Sequence, residues 1–208
     1  MDVIIVSKTH MNDSACVGAI TGSGRFVRLL KTNGFNQDVD TKLEVGDVYT
    51  IKYTERPNKK APHVEDILVS EMNFKSSFES IEKMVDYLKG RLNIKIWEGA
   101  PDVLFDGKLN WTERGSGFIN EENGLPENSV GFWCPDRDLN MRIFYEKVRY
   151  NYPNINGWRS FPYVGYEEPV ETIGAGSLVR VSLARWWDTK GKTEDRCSLQ
   201  ISGWYILK

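Results

Sequence analysis

The sequence predicts a mainly β protein with one central helix, arranged as two small barrels packed into one compact unit. Short runs of alternating apolar and polar residues fill the first seventy positions, and two longer runs lie between residues 177 and 207. Between them the apolar spacing changes to three and four residues, which indicates a helix. A chain of 208 residues is long enough for two small domains, each with its own core.

The N-terminal part contains four to five predicted strands joined by turns. A Gly-Ser-Gly sequence at residues 22–24 separates two apolar runs and is typical of a hairpin turn. Turns recur about every ten residues, which favours a small barrel or sandwich. The predicted strands are residues 3–6, 16–20, 25–30, 48–53 and 64–69.

One segment has helical periodicity. Ser76 followed by Glu79 matches a capping box, and Gly90 lies near the expected end. We therefore predict a helix over about residues 77–91. Its apolar stripe consists of Phe78, Ile81, Met84, Val85, Leu88 and Leu92.

The predicted domains are a first small barrel at residues 1–75, a connecting helix at 76–94 and a second barrel with long loops at 95–208. Isolated aromatic residues between Gly, Asn and acidic residues indicate anchored loops over residues 95–135.

The C-terminal part predicts a long hairpin. Residues 177–187 and 197–207 both alternate between apolar and polar, and a polar loop with a glycine joins them at residues 188–195.

The net charge of −2 excludes a protein that binds nucleic acid by bulk positive charge. The charge is nevertheless uneven along the chain. Residues 77–138 contain 7 basic and 12 acidic residues, whereas residues 139–163 contain 4 basic and 1 acidic residue. The sequence thus predicts a local region of charge +3 next to one of charge −5, and such asymmetry steers charged ligands.

The sequence gives no sign of secretion or membrane insertion. Its first apolar run covers four residues, 3–6, and no segment reaches the ~18 apolar residues that a membrane span needs. The three cysteines, Cys16, Cys134 and Cys197, are odd in number and widely spaced, which favours free thiols in a reducing compartment. We therefore expect a cytoplasmic protein without a membrane partner.

Several short motifs occur in a fixed order along the chain. They are Ser7-Lys8-Thr9-His10, Cys16-Val17-Gly18, Val27-Arg28-Leu29-Leu30, Val45-Gly46-Asp47, Pro62-His63-Val64-Glu65-Asp66, Ser182-Leu183-Ala184-Arg185-Trp186-Trp187 and Leu199-Gln200-Ile201-Ser202-Gly203-Trp204-Tyr205. As a set these motifs resemble the bacterial dual-OB domain family. The resemblance implies two OB-like barrels and a nucleic-acid or nucleotide ligand, and it supplies no catalytic residues. Because OB barrels bind oligonucleotides, oligosaccharides or proteins, the fold alone leaves the ligand open.

The last predicted hairpin carries the first candidate for a ligand surface. Strand alternation puts Arg180, Ser182 and Trp186 on one face, opposite the apolar residues of the same strand. Trp204 belongs to an equally polar row on the partner strand. Aromatic faces that stack on bases and cations that contact phosphates are typical of single-strand binding. The alternative is that a second layer covers this face and the tryptophans are packing residues.

The basic segment at residues 139–163 is the second candidate. Arginines and tyrosines alternate there with Pro153 and Gly157, which fits a binding loop and equally fits a solvated connector. On the first barrel, Arg28 belongs to a set of basic residues that would extend a phosphate track. The predicted nucleic-acid-binding residues are Arg28, Arg149, Tyr150, Arg159, Arg180, Arg185, Trp186 and Trp204.

The two histidines offer a catalytic alternative. His63 and Glu65 share one face of a strand, and with His10 and Asp66 they are candidates for acid–base or metal chemistry. A zinc deaminase is excluded, because Cys134 is followed by proline without a second cysteine nearby. A structural role for His63 is favoured, and we expect neither a metal nor a cofactor.

The sequence therefore favours a non-enzymatic module that binds nucleic acid or a nucleotide through aromatic stacking and arginine contacts. Two alternatives stay open. One is an enzyme that acts on nucleic acid or a small phosphorylated ligand through His10, His63 and Glu65, which requires the histidines to converge. The other is a protein-interaction domain, which requires an exposed apolar patch.

Overall fold

The computed structural model describes residues 1–155, 157–187, 190–191 and 194–205. The protein is mostly β, with 52% strand and 8% helix, and it contains a closed five-stranded barrel and a half-barrel. The described residues form two compact units, residues 1–94 and residues 95–205. The predicted mainly β fold with two OB-like barrels is confirmed.

Unit 1 contains the closed barrel. Five of its strands follow the order β1-β5-β6-β3-β2, and β2 pairs back onto β1. β3 and β6 run parallel, whereas the other neighbours around the barrel are antiparallel. Five strands closed in this way form an OB barrel. The strands of unit 1 are β1 Asp2–Met11, β2 Ser14–Thr21, β3 Phe26–Lys31, β4 Gln37–Asp38, β5 Asp47–Glu55 and β6 Asp66–Ser77.

The barrel closes around small and β-branched side chains. On β2, the fully buried residues Ala15, Val17 and Ala19 lie two apart and line one face of the strand. On β1, Val3 and Ile5 are buried in the same way. Small side chains fill the narrow interior of a five-stranded barrel, and β-branched ones fit its pleated wall.

The helix α1 spans Ile81–Gly90 and buries Met84, Val85 and Leu88. Its N-cap is Ser80, whose Oγ accepts a hydrogen bond from the backbone N of Lys83 at 3.3 Å. The helix prediction is thus confirmed, but the predicted cap at Ser76 is wrong. Ser76 belongs to β6, which stays paired with β5 as far as Ser77.

Unit 2 consists of two sheets. The first has the order β7-β10-β15-β16-β9-β8, and the second has the order β13-β12-β11-β14. A 3-10 helix at Pro101–Gly107 follows β7. The strands are β7 Ile96–Gly99, β8 Asn110–Trp111, β9 Gly117–Ile119, β10 Val130–Pro135, β11 Leu139–Phe144, β12 Lys147–Asn154, β13 Gly157–Pro162, β14 Thr172–Ile173, β15 Leu178–Leu183 and β16 Cys197–Tyr205.

The core of unit 2 lies between these two sheets. Trp133 of β10 is fully buried, and its ring centroid lies 6.1 Å from that of Tyr152 on β12 and 5.5 Å from that of Phe161 on β13. Its indole N–H donates to the carbonyl of Gly99 at 2.9 Å, which satisfies the buried polar atom.

Residues 95–135 are more regular than the sequence predicts. They contain β7 to β10 and the 3-10 helix, so the expectation of loops is wrong for these stretches. Strands of two to six residues are too short to show a clear apolar alternation. The aromatic residues nevertheless anchor the segment, since the Trp97 ring packs 5.0 Å from that of Phe105. Within the described residues, no helix has the length and apolarity to cross a membrane.

The position of the cap yields a stability test. Replacing Ser80 by Ala removes the hydrogen bond to the first turn of α1, so we expect a loss of about 1 kcal/mol in the free energy of unfolding. Urea denaturation measures this loss. The matched control is Ser76→Ala, which removes the same hydroxyl from the exposed end of β6 and changes the stability by less than about 0.5 kcal/mol. A larger loss at Ser76 than at Ser80 would contradict the assignment.

Candidate functional site

The predicted catalytic residues lie on the barrel of unit 1, but the two histidines are far apart along it. His10 is exposed and near the C-terminal end of β1. His63 is buried and precedes β6, which runs in the same direction as β1. The two side chains therefore lie at opposite ends of the barrel. The convergence that a joint acid–base site requires is absent, because the histidines flank strands of the same direction at opposite termini.

The acidic residues among the catalytic candidates lie at the start of β6. Glu65 and Asp66 are both buried, with 3% and 2% of their surface exposed. Asp66 accepts a hydrogen bond from Arg28 Nε at 2.6 Å and one from Arg56 Nη1 at 2.9 Å. A buried carboxylate needs such partners, since an uncompensated charge is costly inside a protein. Arg28 thus has a structural partner in the barrel wall, and it does not contribute to an open phosphate track.

A second ion-pair network lies at the surface of unit 1. Glu55 accepts hydrogen bonds from Arg25 at 2.7 and 2.9 Å and from Lys59 at 2.5 Å. These bonds, the one from Arg25 foremost, lower the pKa of Glu55 to about 2. Arg25 and Lys59 are thus paired within unit 1.

The C-terminal hairpin does not present the exposed polar face that the sequence predicts. All six residues of β15 are buried, and Arg180 exposes only 4% of its surface. Its Nη1 donates to Ser202 Oγ on β16 at 3.0 Å. The prediction of an open face is wrong, because the polar side of β15 is covered as well as its apolar side. Burial removes Arg180 from any ligand surface of this hairpin.

The tryptophans of the hairpin pack against the core of unit 2. The Trp204 ring lies 4.9 Å from that of Tyr163 and 5.7 Å from that of Tyr150. Trp186 is half-buried against the same core, while Arg185 is exposed. The packing alternative therefore describes Trp204 and Trp186 better than a stacking platform does.

The second sheet of unit 2 sorts the basic segment into two faces. One face is core, where Tyr150 and Tyr152 of β12 are buried. The Tyr150 hydroxyl donates to the carbonyl of Val170 at 2.9 Å, so this side chain is not available for stacking. Arg159 also points to this side: its guanidinium lies 4.3 Å from the ring centroid of Trp111 and pairs with Asp102 at 3.6 Å.

The opposite face of this sheet carries the remaining basic residues. Residues that face each other across an antiparallel ladder share one side of the sheet. The register therefore shows which side chains lie on this face. We call this surface the basic face. It consists of Asn140, Arg142 and Phe144 of β11, Lys147, Arg149, Asn151 and Pro153 of β12, and Trp158, Ser160 and Pro162 of β13.

The basic face is organised in rows. Phe144 faces Lys147, Arg142 faces Arg149, and Trp158 faces Pro153. At about 3.3 Å per strand residue, the arginine row lies about 7 Å from the Phe144 row, and the Trp158 row lies about 20 Å from it. Phe144 and Trp158 are 57% and 60% exposed. Two open rings thus flank a cluster of cations.

The basic face has an excess of positive charge. The strands β11, β12 and β13 contain no Asp or Glu. Among the described residues, neither the Arg142 nor the Lys147 side chain has an ionic or hydrogen-bond partner. Arg142 lies directly opposite Arg149, and like charges in this position repel each other. A bound anion would remove this repulsion.

Arg149 is held in place by neutral groups. Its Nε donates to Ser160 Oγ at 2.8 Å, and its Nη2 donates to Ser116 Oγ at 3.0 Å. Burial lowers the pKa of this guanidinium, which stays charged because an arginine is not deprotonated in proteins. The arrangement positions a half-buried cation without neutralising it.

Of the predicted binding residues, only Arg149 lies on the basic face. Phe144 and Trp158 are not among the predicted residues. The signal that could have found them is the alternation of residues 147–153, which places every second residue on the face opposite Tyr150 and Tyr152. The alternation alone does not show which aromatic residues of the neighbouring strands share this face. That requires the register of β12 with β11 and β13. In the described part of the chain, no group of three or more His, Cys, Asp or Glu side chains could hold a metal ion.

The lowered pKa of Glu55 yields a pH test. The folded pKa of about 2 lies below the ordinary value of 4.5, so the network stabilises the fold above pH 4.5 and is lost as the pH falls towards 2. We expect the stability difference between the wild type and Glu55→Gln to be largest above pH 4.5 and to vanish near pH 2. Urea denaturation across this range measures it. The difference is small, because solvent screens the half-exposed pair. A difference that does not change with pH would contradict the assignment.

The family model of the dual OB-containing domain matches residues 1–204. No curated protein matches the sequence. Solved structures that align with the chain include a murine DNA-binding protein bound to double-stranded DNA, at 11% identity over 100% of this chain and 98% of that one, with a TM-score of 0.32. Another is the p204 HINb domain, at 12% identity over 97% and 95%, with a TM-score of 0.35.

A third aligned structure is the Ifi202 HINa domain in complex with a 20-bp double-stranded DNA, at 10% identity over 100% of this chain and 94% of that one, with a TM-score of 0.32. TM-scores this low carry no argument about this chain. The family match does, since it spans nearly all 208 residues and accords with the barrel order of unit 1. The chain therefore belongs to the dual OB-containing domain family.

Proposed function

We propose that the protein binds single-stranded nucleic acid on the basic face of unit 2. The observation that carries this proposal is the cluster of Arg142, Lys147 and Arg149 on strands that contain no acidic residue, flanked by two exposed aromatic rings. Proteins that hold single strands combine a basic groove for the backbone with aromatic rings for the bases.

In this proposal the cations contact the phosphates. Arg142 and Lys147 are exposed and unpaired among the described residues, so a phosphate displaces only water from them. Arg149 is already oriented by Ser116 and Ser160, so little conformational freedom is lost when it binds. A phosphate between Arg142 and Arg149 also removes their mutual repulsion.

Phe144 and Trp158 contact the bases. Bases in a duplex stack on one another, whereas an unpaired base can stack on a protein ring. The two rings lie about 20 Å apart along β12, which suits a segment of about four nucleotides. Unpaired DNA and RNA both fit these contacts.

The local charge explains how a protein of net charge −2 can bind a polyanion. The basic face concentrates its cations within two adjacent rows, and fields of this kind act over about one Debye length, ~8 Å at physiological salt. The catalytic alternative has no such support, since His10 and His63 lie at opposite ends of their barrel.

The phosphate contacts are tested by the salt dependence of binding. We expect the double variant Arg142→Ala/Lys147→Ala to bind a labelled single-stranded oligonucleotide more weakly at low salt. The slope of log affinity against log salt should fall by about 1.4, because each phosphate contact to a single strand contributes about 0.7. Fluorescence anisotropy over a series of salt concentrations measures both quantities.

The control for this experiment is Lys83→Ala/Lys89→Ala on α1, which removes the same net charge from unit 1 and should leave the slope unchanged. Equal slopes for the two double variants would assign the effect to net charge. No binding by the wild type at low salt would overturn the proposal as a whole.

The stacking contact is tested at Trp158. Replacement by Ala should cost about 1–3 kcal/mol of binding free energy, the usual contribution of one base stacked on an aromatic ring. Titrations at fixed salt measure the loss. Ile155→Ala, at a 94% exposed position of the turn between β12 and β13, is the matched control and should bind like the wild type. Equal affinity of Trp158→Ala and the wild type would exclude stacking at this position.

A further inference from the structure

Unit 1 contains an open groove that neither the barrel closure nor the basic face uses. Its volume is about 530 Å³, within the range of ligand sites. The groove lies between one edge of β6 and two segments of the chain, residues 31–37 from the end of β3 to the start of β4, and residues 41–43. Val69, Ser70 and Met72 line it from the side of β6.

The groove exists because β3 is shorter than the strand it pairs with. β3 is paired with β6 only from Arg28–Asp66 to Lys31–Val69. The chain then turns away, and the turn is fixed by a hydrogen bond from the N of Gly34 to the carbonyl of Lys31 at 2.8 Å. β6 continues to Ser77 and is paired there only with β5. Within the described residues, no strand pairs with the other edge of Ser70–Ser77.

A β-bulge lies where this free edge begins. The register between β5 and β6 shifts between Lys52 and Tyr53, so that Ser70 is the extra residue on β6. Bulges bend a strand and re-aim its groups, and they are frequent beside functional sites. The extra residue of this bulge, Ser70, lines the groove.

The groove has an apolar floor and a basic rim. Leu43 is buried, and Val69 and Met72 are half-buried beside it. At the rim, Lys31 pairs with Asp38 at 2.5 Å, whereas Lys42 is exposed and has no ionic partner among the described residues. Glu71, the carboxylate in the lining, is paired with Lys52 at 2.8 Å.

We propose that this groove binds an extended peptide that adds a strand to the free edge of β6, with an apolar side chain over Leu43 and Met72 and an acidic side chain at Lys42. Strand addition satisfies unpaired backbone groups along an edge, and pockets for alternate side chains supply the specificity. A peptide repeats its donors and acceptors every two residues, as the edge does, whereas a nucleotide would match only one or two of these groups. The proposal is independent of nucleic-acid binding by unit 2.

The test uses a fluorescein-labelled hexapeptide of alternating Glu and Val and a second one of alternating Lys and Val, with the full chain. We expect the acidic peptide to bind and the basic one to bind about fivefold more weakly, because only the former pairs with the exposed Lys42. Lys42→Glu should weaken binding of the acidic peptide by about fivefold, and the matched charge reversal Lys83→Glu on α1 should not. Anisotropy measures the affinities.

Hydrogen exchange provides a second readout, since strand addition should slow amide exchange within Ser70–Phe74 when the acidic peptide is bound. Several outcomes would overturn the proposal: no binding at about 1 mM peptide, equal affinity of Lys42→Glu and the wild type, or unchanged exchange in β6. Slowed exchange at this edge with ATP but with neither peptide would identify a nucleotide site instead and would also overturn it.

Discussion

The short parallel pairing of β3 with β6 is the constraint on which unit 1 depends. Four residue pairs, from Arg28–Asp66 to Lys31–Val69, complete the ring of five strands. At the start of this ladder, Arg28 and Arg56 compensate the buried carboxylate of Asp66. At its end, β3 turns away and the edge of β6 is left open. Closure of the barrel, the buried ion pairs and the groove therefore follow from where one ladder begins and ends.

In unit 2, strand alternation decides which side chains reach solvent. The same three strands supply Tyr150, Tyr152 and Phe161 to the core and the cations to the other side. A segment with four basic residues and one acidic residue thereby becomes a surface on which three cations lie together. The fourth, Arg159, is separated from them because it is offset by one position and pairs with Asp102 on the core side.

Much of the fold could be predicted from the sequence, because it depends on local patterns. The stripe of Met84, Val85 and Leu88 identifies α1, and the alternating runs identify the main strands. The sequence places the N-cap of α1 at Ser76, four residues before the observed cap at Ser80. The difference arises because the length of β6 is set by its partner β5 and not by its own residues. Strands as short as β8, with two residues, carry no readable period.

The candidate site was harder to predict for a related reason. Alternation in β15 correctly separates Arg180 from the apolar residues, but it does not reveal that the polar side is covered as well. Whether a face is open depends on neighbours that are distant in the sequence. The same holds for His10 and His63, whose separation follows from strand directions around the barrel. The +3 charge of residues 139–163 could be predicted from the sequence, whereas the distribution of its basic side chains between the two faces of the sheet could not.

Under the proposed function, the opposition of Arg142 and Arg149 couples ligand occupancy to folding. Two cations held face to face on neighbouring strands destabilise the sheet when it is empty, and an anion between them reverses that effect. Any ligand that binds the folded sheet but not the unfolded chain raises its stability by an amount that grows with ligand concentration. Under the proposed function, the thermal unfolding temperature of unit 2 therefore rises with occupancy of the basic face.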